Sequence, residues 1–338
     1  MTHQRPSREV SVPAVEDIAA AKPLVPTWSI DFTQQSPADA GLVFTRASNA
    51  GCYDKNGNWV IALTNTLRIN HNPATGIPYG FLSETQRTNY LRNSATPATQ
   101  TISLSAGTYT LQVEGAGSCT VSAGTATGTD MGIVSPGTPR TFTLTTAGTV
   151  IFTVNGSLTR FQCENGSTPT SFITTATAAA TRSADVASVP FSGVFNPQGG
   201  TLAYVAGASG VNGANTVGLD DDTGSNNTYI NLYIRNTLTG MFFRLNGIQV
   251  ADHKLYVNRT VGMPSKVAFT YGTQGTSLYA NNKLVGNTAV SSANATIVML
   301  RIGHRNEGTS VSHINEHVQR VDYFNTVLTP TQLQQLTA

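Results

Sequence analysis

The stretch Thr108-Tyr109-Thr110-Leu111-Gln112-Val113-Glu114 places an apolar residue at every second position. Successive side chains of an extended strand point to opposite faces, so this alternation belongs to a strand with one buried and one wet face. Thr141-Phe142-Thr143-Leu144 repeats it, as does Thr149-Val150-Ile151-Phe152-Thr153-Val154. Gly107, Gly115, Gly117, Gly124, Gly148 and Gly156 punctuate the runs. Short alternating strands at this spacing predict a small antiparallel β-sandwich over residues 97–183. Threonines on the wet face suit a pleated surface, where a β-branched side chain loses little freedom.

Further along, residues 184–338 repeat the pattern on a larger scale. Strands are expected at Thr201–Val205, Tyr229–Arg235, Met241–Val250, Lys266–Tyr271, Ser277–Tyr279, Ile297–Ile302 and Val318–Phe324. Asn246-Gly247, Asn281-Asn282 and Gly272-Thr273-Gln274-Gly275 supply turns. Thr329-Pro330-Thr331-Gln332 is a capping box with Pro at the first helical position, so a short helix follows, Leu333 and Leu336 facing inward. The whole reads as all-β, its C-terminal half a two-sheet jelly roll.

Upstream, residues 28–96 read as a linking region with β-hairpins. Asp54-Lys55-Asn56-Gly57 is a hairpin turn between Tyr53 and Trp59-Val60-Ile61, and His71–Gly76 is a second reversal. Leu67 and Ile69 alternate with Arg68 and Asn70, as on a half-buried strand. Residues 1–27 carry Pro13, Pro23 and Pro26 and little apolar mass. Such an arm buries too little surface to order itself; it reads either as a frayed terminus or as a segment that docks on a larger assembly. The opening MTHQRPSREV has no apolar core behind its basic residues, so no secretory signal is expected.

Composition narrows the function classes. Of 338 residues only 11% are charged, against about 25% in typical domains. With 39% hydrophobic residues, this is not the profile of disorder, and long surface helices lack the charges they need. A net charge of +2 argues against nucleic-acid binding, and no stretch approaches a membrane span. Cys52, Cys119 and Cys163 are too few and scattered for a disulfide framework or zinc site, and read as small buried hydrophobes.

Candidate chemistry is sparse. Asp220-Asp221-Asp222-Thr223-Gly224-Ser225-Asn226-Asn227 concentrates oxygen ligands. It reads as a hairpin turn, with a calcium site of Asp220, Asp222 and Asn226 as the second reading and a glycan contact as the third. No other cofactor is expected. Tyr229, Tyr233 and Arg235 share one face of their strand; with Asn227 they are candidate glycan contacts, set against their reading as plain core or sheet-surface residues. A glycosidase needs two carboxylates facing across a cleft, and Glu84, Glu114, Glu164, Glu307 and Glu316 are dispersed. His304, His313 and His317 cluster near the end without a Gly-x-Ser-x-Gly elbow, and read as buried, hydrogen-bonded histidines. No enzymatic activity is expected.

Several motifs in order carry a resemblance. FTRASNAGCYDKNGNW, LRINHNPATG and GFLSETQRTNYLRNS, with Thr45–Ser48, His71–Gly76 and Glu84–Asn89 as their marks, are similar to a segment of tailed-bacteriophage and prophage structural proteins. AGTYTLQVEGAGSCTVS to FQCENGSTPTSFITT resembles the small sandwich that follows there, and TRSADVAS the junction after it. KVAFTYGTQGTSLYANNKLV and HINEHVQRVDYFNTVLTPTQLQQLTA resemble a concanavalin A-like, laminin-G-like jelly roll. Glu316 and Gln319 depart from that pattern, which has Gly and commonly a basic residue there. The resemblance implies a virion structural protein, a tail fibre or spike or a head-decoration component. It would assemble in the host cytoplasm and leave by lysis, attach to capsid or tail proteins through residues 1–27, and display a lectin-like domain to host-surface glycans. Homo-oligomers, trimers among them, are the implied state; a polysaccharide depolymerase is the alternative.

Overall fold

The computed structural model describes residues 23–34, 40–207, 217–224, 227–235, 238–256, 264–307 and 310–338. Most of the expected arm and Asn226 therefore lie outside the described residues, as does the side chain of Arg235. Strands dominate, paired antiparallel, with one helix among the described residues, at Pro330–Thr337. The all-β expectation holds.

Two large sheets form the C-terminal sandwich. One runs Lys283–Thr288, Thr276–Ala280, Ser265–Gly272, Gly199–Ala206, Glu316–Phe324, Pro78–Ser83, Ile69–His71, with Trp28–Asp31 also on Glu316–Phe324. The other runs Val43–Thr45, Val186–Pro190, Met299–Ile302, Val217–Asp220, Tyr229–Arg235, Leu238–Leu245, Ile248–Tyr256. Leu202, Phe269 and Val321 of the first sheet meet Leu219, Ile230, Leu232 and Leu300 of the second in one core, all fully buried. The run expected from Met241 to Val250 divides at Asn246-Gly247. Both residues are left-handed, φ 49° and 79°, the geometry of a two-residue hairpin loop whose twist matches its strands.

Residues 28–96 are more than a link. Trp28–Asp31, Ile69–His71 and Pro78–Ser83 join the first large sheet and Val43–Thr45 the second. Short polar runs such as Arg87–Asn89, which pairs with Ala180–Arg182, give no sign in sequence of a partner so distant.

The small module is one six-stranded sheet folded over itself. Gly107–Ala123 and Gly148–Asn165 pair along their length, yet Leu111, Val113, Cys119, Val121, Phe152 and Phe161 share one core. The strands bend at exposed glycines midway. At Gly117, φ 144°, a Cβ would lie 2.1 Å from the Asn155 carbonyl oxygen. The face away from this core carries cross-strand threonine pairs, Thr108–Thr143 and Thr110–Thr141 at 3.2 Å each, but Thr110 is buried rather than wet, its hydroxyl donating to the Gly166 carbonyl at 2.8 Å. Such pairs stabilise a sheet without charge.

The C-terminal helix forms as its sequence predicts. The Thr329 amide donates to Gln332 Oε1 at 2.9 Å and Thr329 Oγ1 accepts from the Gln332 amide. Leu333 is buried and Leu336 half-buried against Leu328 and Phe324. All three cysteines are free and buried, and burial pushes the Cys119 thiol up to about 12.

Candidate functional site

Alternation along Tyr229–Arg235 sends Ile230 and Leu232 into the core and Tyr229, Asn231 and Tyr233 to the outer face. Cross-strand register then fixes their neighbours. Phe242 lies opposite Asn231 and Gly240 opposite Tyr233; Asp252 and Lys254 follow on the next strand. Tyr229, Asn231, Tyr233, Phe242, Asp252 and Lys254, with Leu238 and Arg305, line a cavity of about 340 Å³. Gly240 is small for a reason: a Cβ there would lie 2.5 Å from Tyr233 Oη.

The tyrosines are not exposed platforms. Tyr229 is 9% and Tyr233 7% exposed. Phe242 stacks on Tyr229 at 5.7 Å, and the Arg305 guanidinium lies 4.1 Å from the same ring's centroid, a cation–π contact. Among the described residues, the exposed aromatic on this face is Tyr256, opposite Leu238 and 75% exposed. Lys254 donates to Asp252 at 2.7 Å. Asn227 is exposed, and its carbonyl accepts from the Gly247 amide at 2.8 Å, tying the site's upper loop to the neighbouring hairpin.

Asp220 and Asp222 already hold a cation, the Arg301 guanidinium. Nε donates to Asp220 Oδ2 at 2.9 Å and Nη2 to Asp220 Oδ1 at 3.3 Å and to Asp222. Asp221 accepts from the Thr223 amide and hydroxyl, ordinary turn chemistry. A divalent ion at Asp220 and Asp222 must displace Arg301, and no group of three His, Cys, Asp or Glu side chains suited to a metal occurs among the described residues. Of the expected ligands, Asn226 falls outside those residues.

A second concentration of charge is buried where the modules meet. Arg46 Nη1 donates to Asp185 at 3.0 Å, and Arg68 Nη2 to Asp185 at 2.5 Å and Glu84 at 2.9 Å. Arg182 also pairs with Glu84, which accepts from the Ser171 amide and hydroxyl at 2.6 Å each. Burial disfavours the Glu84 carboxylate, but Arg182, Arg68 and Ser171 outweigh it and hold the pKa at about 2. The Thr45–Ser48, Glu84–Asn89 and TRSADVAS motifs thus supply Arg46, Glu84, Arg182 and Asp185 to one structural knot.

Glu84 and Glu114 line a shared cavity of about 220 Å³ with Tyr53, Trp59, Gln112 and His317. Sequence spacing gives no reason to bring these two carboxyls together. Glu84 is saturated by the donors above, and Glu114 accepts from Tyr53 Oη at 3.0 Å and pairs with Arg160. His317 sits between Glu316, 2.8 Å from Nδ1, and Asn70, 2.9 Å from Nε2. Glu316, the departure from the resembling pattern, therefore serves to orient the His317 ring. His304 and His313 are buried and stacked at 5.7 Å.

The architecture defines a class, an all-β protein built on an antiparallel jelly-roll sandwich. No family model matches the chain, and no curated protein matches it. Solved structures do. The Ruminococcus gnavus IT-sialidase CBM40 is 17% identical, covering 42% of this chain and 83% of its own, with a TM-score of 0.37; it has also been solved bound to sialyllactose. The NanB sialidase of Streptococcus pneumoniae is 16% identical over 45% of this chain and 26% of its own, TM-score 0.37. The heptameric SAP-like pentraxin of Limulus polyphemus is 8% identical over 75% and 82%, TM-score 0.33.

Proposed function

We propose that this chain is a non-enzymatic glycan-binding protein. The observation that carries the reading is the 340 Å³ cavity on the outer sheet face. Its aromatic walls, amide, carboxylate and ammonium are the groups that pack on sugar rings and hydrogen-bond hydroxyls. Placement on paired strands pre-organises them, which lowers the ordering cost of binding. A glycan array, read with wild type and with Tyr233→Ala plus Asp252→Ala, tests the proposal. Binding lost in the double variant supports it; a blank array for wild type removes it.

The same proposal places the chain in a tailed-phage virion, as a fibre, spike or head-decoration subunit docked through residues 1–27. Support comes from the ordered motifs and from exposed threonine pairs in place of charges, Thr125–Thr149 and Thr127–Thr145, which are little affected by changing salt. Antibody labelling of intact particles tests location. Label on capsid or tail supports the role, and its absence from purified particles removes it. The depolymerase alternative draws on Glu84 and Glu114 in one cavity. Release of reducing sugar from host polysaccharide by pure protein would establish it.

A further inference from the structure

The outer sheet face carries more cation than the cavity alone shows. Arg301 is matched by Asp220 and Asp222, and Lys254 by Asp252. Arg244 is different. It lies directly opposite Tyr229 in the antiparallel register, so its side chain leaves the sheet on the same side as Tyr229 and Phe242. It is half-buried, its Nε is enclosed without a hydrogen-bond partner, and no ion pair is made by it among the described residues. The planar guanidinium fork is suited to two-point capture of an oxyanion. Tyr256, exposed like Lys254 at the far end of the face, offers a ring for the rest of a saccharide.

We propose that this face selects glycans bearing an oxyanion, a carboxylate or a sulfate ester, captured by Arg244 while the sugar rings occupy the cavity beside Tyr229 and Asn231. This rests on the glycan-binding reading above and adds the ligand's charge. A neutral sugar offers the Arg244 Nη groups only neutral acceptors, whereas an anion offers them a charge-assisted bond, roughly twice as strong as a neutral one.

Calorimetric titration of the full chain with four probes tests it. They are a glucuronate–N-acetylglucosamine tetrasaccharide, its carboxyl-reduced form, a sialic acid trimer, and a sulfated disaccharide without carboxylate. The expected result is that at least one anionic probe binds about tenfold or more tighter than the reduced tetrasaccharide. That preference should shrink as salt rises from low to physiological strength. The carboxylate and sulfate arms distinguish the two sources. Arg244→Gln should collapse the ratio toward one, and Arg244→Lys should restore part of it, which a purely structural arginine would not do. Equal or better binding of the reduced probe overturns the inference and leaves the glycan reading standing. No binding by any probe, together with a blank neutral array, removes both.

Discussion

Arg46 and Asp185 stand 139 positions apart in the chain and meet at 3.0 Å with both side chains fully enclosed. Asp185 also accepts from Arg68 at 2.5 Å and from the Glu84 amide at 3.0 Å. Removing one member of a buried pair leaves its partner charged and uncompensated. Asp185→Asn should therefore cost about 3–5 kcal/mol, read from urea denaturation. A paired apolar replacement, Arg46→Met with Asp185→Leu, still takes one of its two carboxylates from Arg68, which keeps only Glu84, and should recover only part of that loss.

Acid should weaken the fold in two stages. Burial first, then His313 and Arg301, lower the His304 pKa to about 3, against about 6.5 in the unfolded chain. Between those values the unfolded chain binds the extra proton, so this contribution is whole above the unfolded pKa and is lost as pH falls toward the folded one. The loss between pH 7 and pH 5 is about 2 kcal/mol. Glu84, at about 2 in the fold, keeps its contribution above its unfolded pKa near 4.3 and loses it only as pH falls through the lower value. Urea midpoints across this range should show both steps, and His304→Gln should flatten the first alone.

Gly117→Ala drives a Cβ against the Asn155 carbonyl at a left-handed backbone position. The fault lies at the bend of the small sheet. Hydrogen exchange should rise in Gly107–Ala123 and Gly148–Asn165 while the Tyr229–Arg235 strand keeps its protection.

Chelator should leave thermal stability unchanged, because Arg301 already satisfies Asp220 and Asp222. A drop in Tm on adding EDTA, restored by calcium, would contradict that arrangement. Thr329→Ala, which removes the helix cap, should cost about 1 kcal/mol.

Much of the fold was legible because it is written in local rules. The alternation at Thr108–Glu114, the Asn246-Gly247 turn and the Thr329 capping box each act within a few residues. What escaped is set by long-range pairing. Three-residue runs such as Val43–Thr45 and Ile69–His71 are too short to carry a mark of the sheet they will join. At the candidate site, alternation identified Tyr229 and Tyr233 and could equally have marked Asn231. Their burial agrees with the reading as core or sheet-surface residues, but the groups that cover Tyr229, Phe242 and Arg305 on other strands, were not legible. Asp252, Lys254 and Tyr256 share a face with them through register alone, and Arg301 could be matched to Asp220 only once Met299–Ile302 was seen beside Val217–Asp220.

The Glu316–Phe324 strand binds Trp28–Asp31, Pro78–Ser83 and Gly199–Ala206, so three earlier segments wait on one made near the end. During synthesis the large sandwich cannot close until that strand has left the ribosome. Until then its apolar edges are open, and pairing over such separations is slow. The small sheet, whose strands are neighbours in the chain, has no such delay. A ribosome stalled short of residue 316 should thus carry a finished small module beside an unclosed, chaperone-dependent sandwich.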